Sequence, residues 1–159
     1  MGIFDNIFGR KEEKDPNETL VAGLGHLDPA MSTAFSAYLI NKSRLGVLSK
    51  EAVENFLMVK SKDKNEQTRA MEHYFRESLA LMENQRRLLT GMSEVAKKRR
   101  FRMAKELAGC VASVKRTEDT LRRVVAANND PAINRLQGMN DSLSHHRSME
   151  LTVLWPVLK

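Results

Sequence analysis

The chain has 159 residues, 26 Lys and Arg against 20 Asp and Glu, a net charge of +6, and one cysteine. That length suits one domain or at most two, and a lone cysteine excludes both a disulfide framework and a multi-cysteine zinc module. Hydrophobic residues at 42% exclude wholesale disorder, and aromatics at only 6% disfavour a β-sandwich or OB-type barrel, whose strands prefer them.

No run reaches the eighteen apolar residues of a membrane span, and no basic-then-apolar leader opens the chain. The expected compartment is therefore the cytoplasm, with a peripheral membrane location as the alternative. At the start, Ile3, Phe4, Ile7 and Phe8 fall on one helical stripe, followed by Arg10 and Lys11. This is a short amphipathic tip of the interfacial type. Its four side chains suit docking on the bundle or a neighbouring subunit, or shallow insertion into a membrane. Asn6 stands where myristoylation requires Ser or Thr. Residues 10–17 are charged, contain Pro16 and read as a linker. The expected division is 1–17 for tip and linker and 18–159 for the folded domain.

Residues 18–25 allow one or two helical turns ended by Gly25. Asp28-Pro29-Ala30 and Asp130-Pro131-Ala132 each place a capping carboxylate ahead of a proline at the first helical position. No proline lies between Pro29 and Pro131, and the intervening residues favour helix. A first helix is predicted over 29–44, stopping at Gly46, and a second from Ser49 to about residue 60. Lys60 to Arg69 holds no apolar residue and is expected to be a loop or exposed turn. A third helix is predicted over 66–89, with Arg86 and Arg87 in its last turn and Gly91 as the left-handed stop. Ser93 then caps a fourth helix, 94–127. After the turn at Asn128-Asn129-Asp130, a fifth helix runs over 131–147, extending toward Trp155 before Pro156.

One pattern competes with this segmentation. Met71, Met82, Met92, Met103, Val114 and Val125 are spaced by eleven residues, except for a step of ten between Met82 and Met92. Eleven residues make three turns, so one helix over 66–127 would carry them on one face for about 90 Å. The fold expected is all-α: an antiparallel bundle of four or five helices, or an elongated array with one long helix.

The charge is local. Residues 91–127 hold ten basic residues and four acids, while the rest of the chain carries sixteen of each. Lys97, Lys98, Arg99, Arg102, Lys105, Arg116 and Arg123 are the candidate contacts for an anionic partner. On a single helix Lys98, Arg102, Lys105, Arg116 and Arg123 oppose the apolar face, with Phe101 beside them as one stacking or inserting side chain. No RNP, KH, zinc-finger or helix-turn-helix pattern accompanies them. Arg99 and Arg100 border the apolar face and need a carboxylate; Glu77, Glu83 and Glu150 are the candidates.

The remaining candidates are weaker. His73 with Glu77, and His146 with Glu150, are i,i+4 pairs that would make a four-ligand metal site only if they met. The simpler expectation is ion pairing, with no metal and no cofactor. Cys110 falls on the core-facing side as an inert thiol. Leu151 to Leu158 is mostly apolar and holds the only tryptophan. Trp155 either closes the core or contacts a partner. No catalytic constellation or phosphate loop can be named, so an enzyme is not expected. The function expected is a non-enzymatic interaction or scaffold protein, self-associating or part of a larger assembly. It would present helix 91–127 to an anionic partner, with no small-molecule substrate. The alternatives are a nucleic-acid-binding protein or a peripheral membrane protein held by residues 2–8.

Overall fold

In a computed structural model, residues 27–59 and 64–158 are described. They form an all-α antiparallel bundle. Helix α1 spans Pro29–Val59, α2 Lys64–Lys98, α3 Ala104–Ala126 and α4 Ala132–Met149. A π-helical stretch, Glu150–Leu154, and a short helix α5, Trp155–Leu158, extend α4. The tip, the linker and the turns expected over 18–25 lie outside the described residues.

Asp28 starts α1 as its sequence implies. The Ala30 N–H donates to Asp28 Oδ1 at 2.9 Å, and Pro29 occupies the first helical position. The echo at Asp130 does not repeat this. Pro131 takes the cap position itself, with extended φ and ψ, and no side chain caps α4.

Two expected breaks are absent. Helix α1 passes through Gly46, and α2 passes through Gly91, so 29–44 and 49–60 are one helix. Leu45, Leu48 and Ala52 keep packing against the core on either side of Gly46, and that packing outweighs the weak helix preference of one glycine. The charged stretch 64–69, where the expected loop ran into the predicted helix start at 66, is helical throughout and forms the first turns of α2. Its i,i+3 and i,i+4 polar neighbours suit an exposed helix surface.

Helix α2 is the central element, packing on α1, α3 and, at one end, α4. Its buried side chains Met71, Phe75, Ser78, Met82, Gln85, Leu89, Met92 and Ala96 step by four and three in alternation. That is a heptad seam, the pattern that keeps one stripe facing an antiparallel neighbour. Helix α3 answers with Leu107, Cys110, Val114, Thr117 and Leu121. The eleven-residue methionine spacing therefore belongs to two antiparallel helices sharing one core, and the single rod over 66–127 is excluded by the turn at 99–103.

Trp155 belongs to the core rather than to a contact surface. It is 7% exposed, edge-on to Phe35 at 5.5 Å and to Tyr38 at 6.1 Å between ring centroids. The helix reaches Trp155 as its sequence allows and then runs on through Pro156, where a stop was expected. Pro156 lacks an N–H, and its ring crowds the carbonyl four residues back; the wider turns of Glu150–Leu154 absorb this.

Candidate functional site

Helix α2 ends in a Schellman motif built without glycine. The Phe101 N–H donates to the Ala96 carbonyl at 2.8 Å, and the Arg100 N–H to the Lys97 carbonyl at 3.2 Å. Arg100 adopts φ 57°, the left-handed conformation usually given to Gly. Phe101 then packs half-buried against the core, the apolar contact that accompanies this motif. It is thus a staple of the turn rather than the outward stacking ring expected on a continuous helix.

The turn splits the expected basic stripe in two. Lys97, Lys98, Arg99 and Arg102 lie at the end of α2 and in the turn, and Lys105 in the first turn of α3; all are exposed. Arg116 and Arg123 lie about 16 and 27 Å farther along α3 from Lys105, at 1.5 Å per residue. Arg99 pairs with Asp28, whose side chain is 3% exposed, so none of the three anticipated glutamates serves it. Arg100, Lys97, Lys98, Arg102 and Lys105 have no carboxylate within ion-pair distance among the described residues. Five unpaired cations thus crowd one end of the bundle, flanked by exposed Glu94 and Glu106.

Farther from the turn some cations are engaged, and others, among them Arg44, Arg76, Arg87, Lys115 and Arg147, are exposed with no carboxylate within ion-pair distance among the described residues. Arg122 bonds Glu83 and Glu118, each at 2.7 Å, and Arg86 also holds Glu118. Burial acts to raise the Glu118 carboxyl, but these two arginines outweigh it and hold its pKa below the ordinary value. Arg123 folds onto its own helix, donating to the Asp119 carbonyl at 3.4 Å and to Thr120 Oγ1 at 3.3 Å. It lines an open hollow of about 370 Å³ with Asp130, Asn134 and Arg135. The Arg135 guanidinium there is occupied by Glu72 and by the Val124 and Val125 carbonyls. Arg116 is exposed without a carboxylate partner among the described residues.

A second polar cluster joins α1 to the end of α4. The Tyr38 hydroxyl donates to Glu150 Oε1 at 2.5 Å, His146 Nε2 lies 3.1 Å from the same oxygen, and Lys42 Nζ lies 3.1 Å from Oε2. The Lys42 ammonium also sits 4.7 Å from the centroid of Trp155. Burial opposes ionisation of Glu150, yet His146, Tyr38 and Lys42 hold its pKa below the ordinary value. Burial and the neighbouring carboxylate push the Tyr38 phenol well above its usual range. The cluster is enclosed except at Lys42, and together with the packing of Phe35 and Tyr38 on Trp155 it joins α1 to the end of α4.

His73 and Glu77 are exposed, whereas His146 and Glu150 are buried, so the two pairs do not meet. No group of three or more His, Cys, Asp or Glu side chains converges as metal ligands among the described residues. Burial, then Glu106, pushes the Cys110 thiol up to about 11, consistent with an inert core thiol. Ile3, Phe4, Ile7 and Phe8 lie outside the described residues. No described helix is long and apolar enough to cross a membrane.

Sequence reasoning missed Asp28 as the partner of Arg99, and Arg100 as the helix stop. The Ala96–Phe101 spacing, an apolar pair five apart around polar residues, was the available signal for the motif. Comparison with protein-family models, with curated proteins and with solved structures finds no match for this chain.

Proposed function

We propose that this protein is a non-enzymatic helical interaction module that docks its turn end, residues 97–105, on an anionic partner. The observation that carries this reading is the crowding of Lys97, Lys98, Arg100, Arg102 and Lys105 at one end without carboxylate partners among the described residues. Elsewhere Arg86, Arg122 and Arg135 hold carboxylates, and exposed cations without one, such as Arg44, Arg76 and Arg147, are dispersed over different helices. An unneutralised cluster repels itself, and an anionic surface relieves that repulsion while releasing counterions.

The test is retention of the full-length protein on immobilised heparin across a salt gradient. Replacing Lys98, Arg102 and Lys105 together by Glu is expected to abolish retention at low salt. A Lys115→Glu, Arg116→Glu pair on the flank of α3 is expected to leave most of it. Full retention of the triple variant would remove the reading.

We also propose that the module works as part of an assembly with further copies of itself. Residues 29–41 hold no charged residue, and Ile40 at the end of that stretch is 58% exposed; Val47, 57% exposed, lies two turns on, with exposed Arg44 between them. Two copies of a chain with net charge +6 approach most easily across the uncharged first turns of α1. Sizing is expected to give a multiple of the 18.1 kDa chain mass. A strict monomer at high concentration would overturn self-association.

A further inference from the structure

We infer that a second copy of this chain docks on the outer stripe of α1, the two helices lying antiparallel with Ala37 of one against Ile40 of the other. This inference rests on the self-association reading above and names its surface and register. Met31, Phe35 and Tyr38 turn one side of α1 into the core. On the opposite side Ala30, Thr33, Ala37, Ile40, Arg44 and Val47 step by three and four in alternation. That is a heptad seam, like the one α2 turns to its neighbours. Here it faces outward: Ala37 is half-buried and the other five are exposed.

The order of side chains along the seam points to its occupant. Small residues, Ala30, Thr33 and Ala37, fill its first half, and long ones, Ile40, Arg44 and Val47, fill its second. The Thr33 hydroxyl is already satisfied, donating to the Pro29 carbonyl at 2.9 Å. A two-fold axis between Ala37 and Ile40 reverses the second copy and sets long against small at every level. Ala37 then faces Ile40, Thr33 faces Arg44, and Ala30 faces Val47. Ile40 and Val47, 58% and 57% exposed in the single chain, are covered by alanines. Arg44 lays its stem over Thr33 and keeps its guanidinium in water at the rim. The uncharged stretch 29–41 lies within the contact, so two chains of net charge +6 meet where repulsion is least.

Other arrangements fail on the same residues. A parallel pair sets Arg44 against Arg44 and leaves alanine facing alanine. Sliding the antiparallel pair by one heptad brings Ile40 against Arg44, or carries Arg44 and Val47 past the start of the opposing α1. The comparable stripe of α4, between exposed Ile133 and Leu151, holds Gln137, Asn140, Ser144 and Arg147 and makes no apolar seam. The paired stretch of α1 is about 26 Å long at 1.5 Å per residue. One helix pair of that length, about 10 Å across, buries less than the about 1,200 Å² of a stable interface, so the dimer is expected to dissociate on dilution.

The test is analytical ultracentrifugation of the full-length protein over a wide concentration range. The mass is expected to rise from 18.1 kDa toward that of a dimer as concentration increases. An Ile40→Glu, Val47→Glu variant alters only exposed side chains, and its helical circular dichroism is expected to be unchanged. Its association is expected to weaken at least tenfold, although two added acids lower the net charge of +6 and so reduce overall repulsion. The register is read by disulfide formation. Ala37→Cys mixed with Ile40→Cys is expected to cross-link faster than either variant alone, because like positions lie too far apart to bridge. Cys110 is buried and does not compete. Unchanged association of the Glu variant overturns the inference and leaves self-association standing. Absence of a cross-link in the mixture, or cross-linking of a single variant at the same rate, overturns the register. A strict monomer at every concentration removes both the inference and the self-association reading, and leaves the seam to a different partner.

Discussion

Arg100 holds a conformation that an L-residue adopts only at a cost of about 1–2 kcal/mol. Glycine would relieve that strain, although it adds freedom to the unfolded chain. Arg100→Gly is therefore expected to raise stability by about 0.5–1 kcal/mol in urea denaturation, while elution from heparin moves to lower salt. A loss of stability would mean that the guanidinium serves the fold. Glu118 and Glu150 test the electrostatics of the interior. Both have pKa values lowered on folding, so the unfolded chain takes up protons first as pH falls. Their contribution is present above the ordinary carboxylate range and is lost on acidification through it. The thermal midpoint is expected to fall below about pH 4.3, and Glu118→Gln to flatten that fall in thermal melts against pH. At neutral pH the same substitution is expected to cost about 1–2 kcal/mol, since Arg86 and Arg122 are partly solvated.

Among the elements, α1 and α2 each run through a glycine that looked like a boundary. A Cβ at Gly46 or Gly91 would meet nothing within 4 Å, and neither residue has the positive φ that only glycine tolerates well. Gly46→Ala and Gly91→Ala are each expected to raise stability by about 0.5–1 kcal/mol, additively, in urea denaturation. A decrease at Gly91 would indicate a turn there instead of a helix interior. The true end of α2 lies some eight residues later, where apolar Phe101 can fold back on Ala96 and close the last turn. The C-terminal helix shows the converse. Pro156 does not end it, because Leu154, Trp155 and Leu158 are drawn into the core and the helix widens to deliver them.

For the whole molecule, α1 and the end of α4 are joined by a few side chains: Phe35 and Tyr38 on Trp155, and Tyr38 and Lys42 on Glu150. Trp155→Ala removes the hub of this contact and is expected to destabilise by about 3–5 kcal/mol. Circular dichroism of the variant in urea checks it. In the unaltered protein the single tryptophan reports this junction directly. Its fluorescence and the circular dichroism are expected to change at the same urea concentration if the bundle unfolds as one unit. The turn and the start of α1 meet through Asp28 and Arg99.

The helical class was legible in the sequence because helix preference and apolar periodicity are local and repeat along most of the chain. So were the start of α1 at Asp28-Pro29, the burial of Cys110, and the concentration of charge in 91–127. Helix ends were harder to read. A glycine signals a stop only when neighbouring packing does not hold the helix through it, and packing across Gly46 and Gly91 is a property of the assembled core. The sequence by itself therefore determined that this is a helical protein with one basic segment. Only the tertiary structure decided which cations remain unpaired. Asp28, Glu72 and Glu83 lie far in sequence from Arg99, Arg135 and Arg122, as Glu118 does from Arg86, and proximity in space sets an ion pair. It also decided that five of the unpaired cations gather at one end beside Asp28, where the turn divides the basic segment.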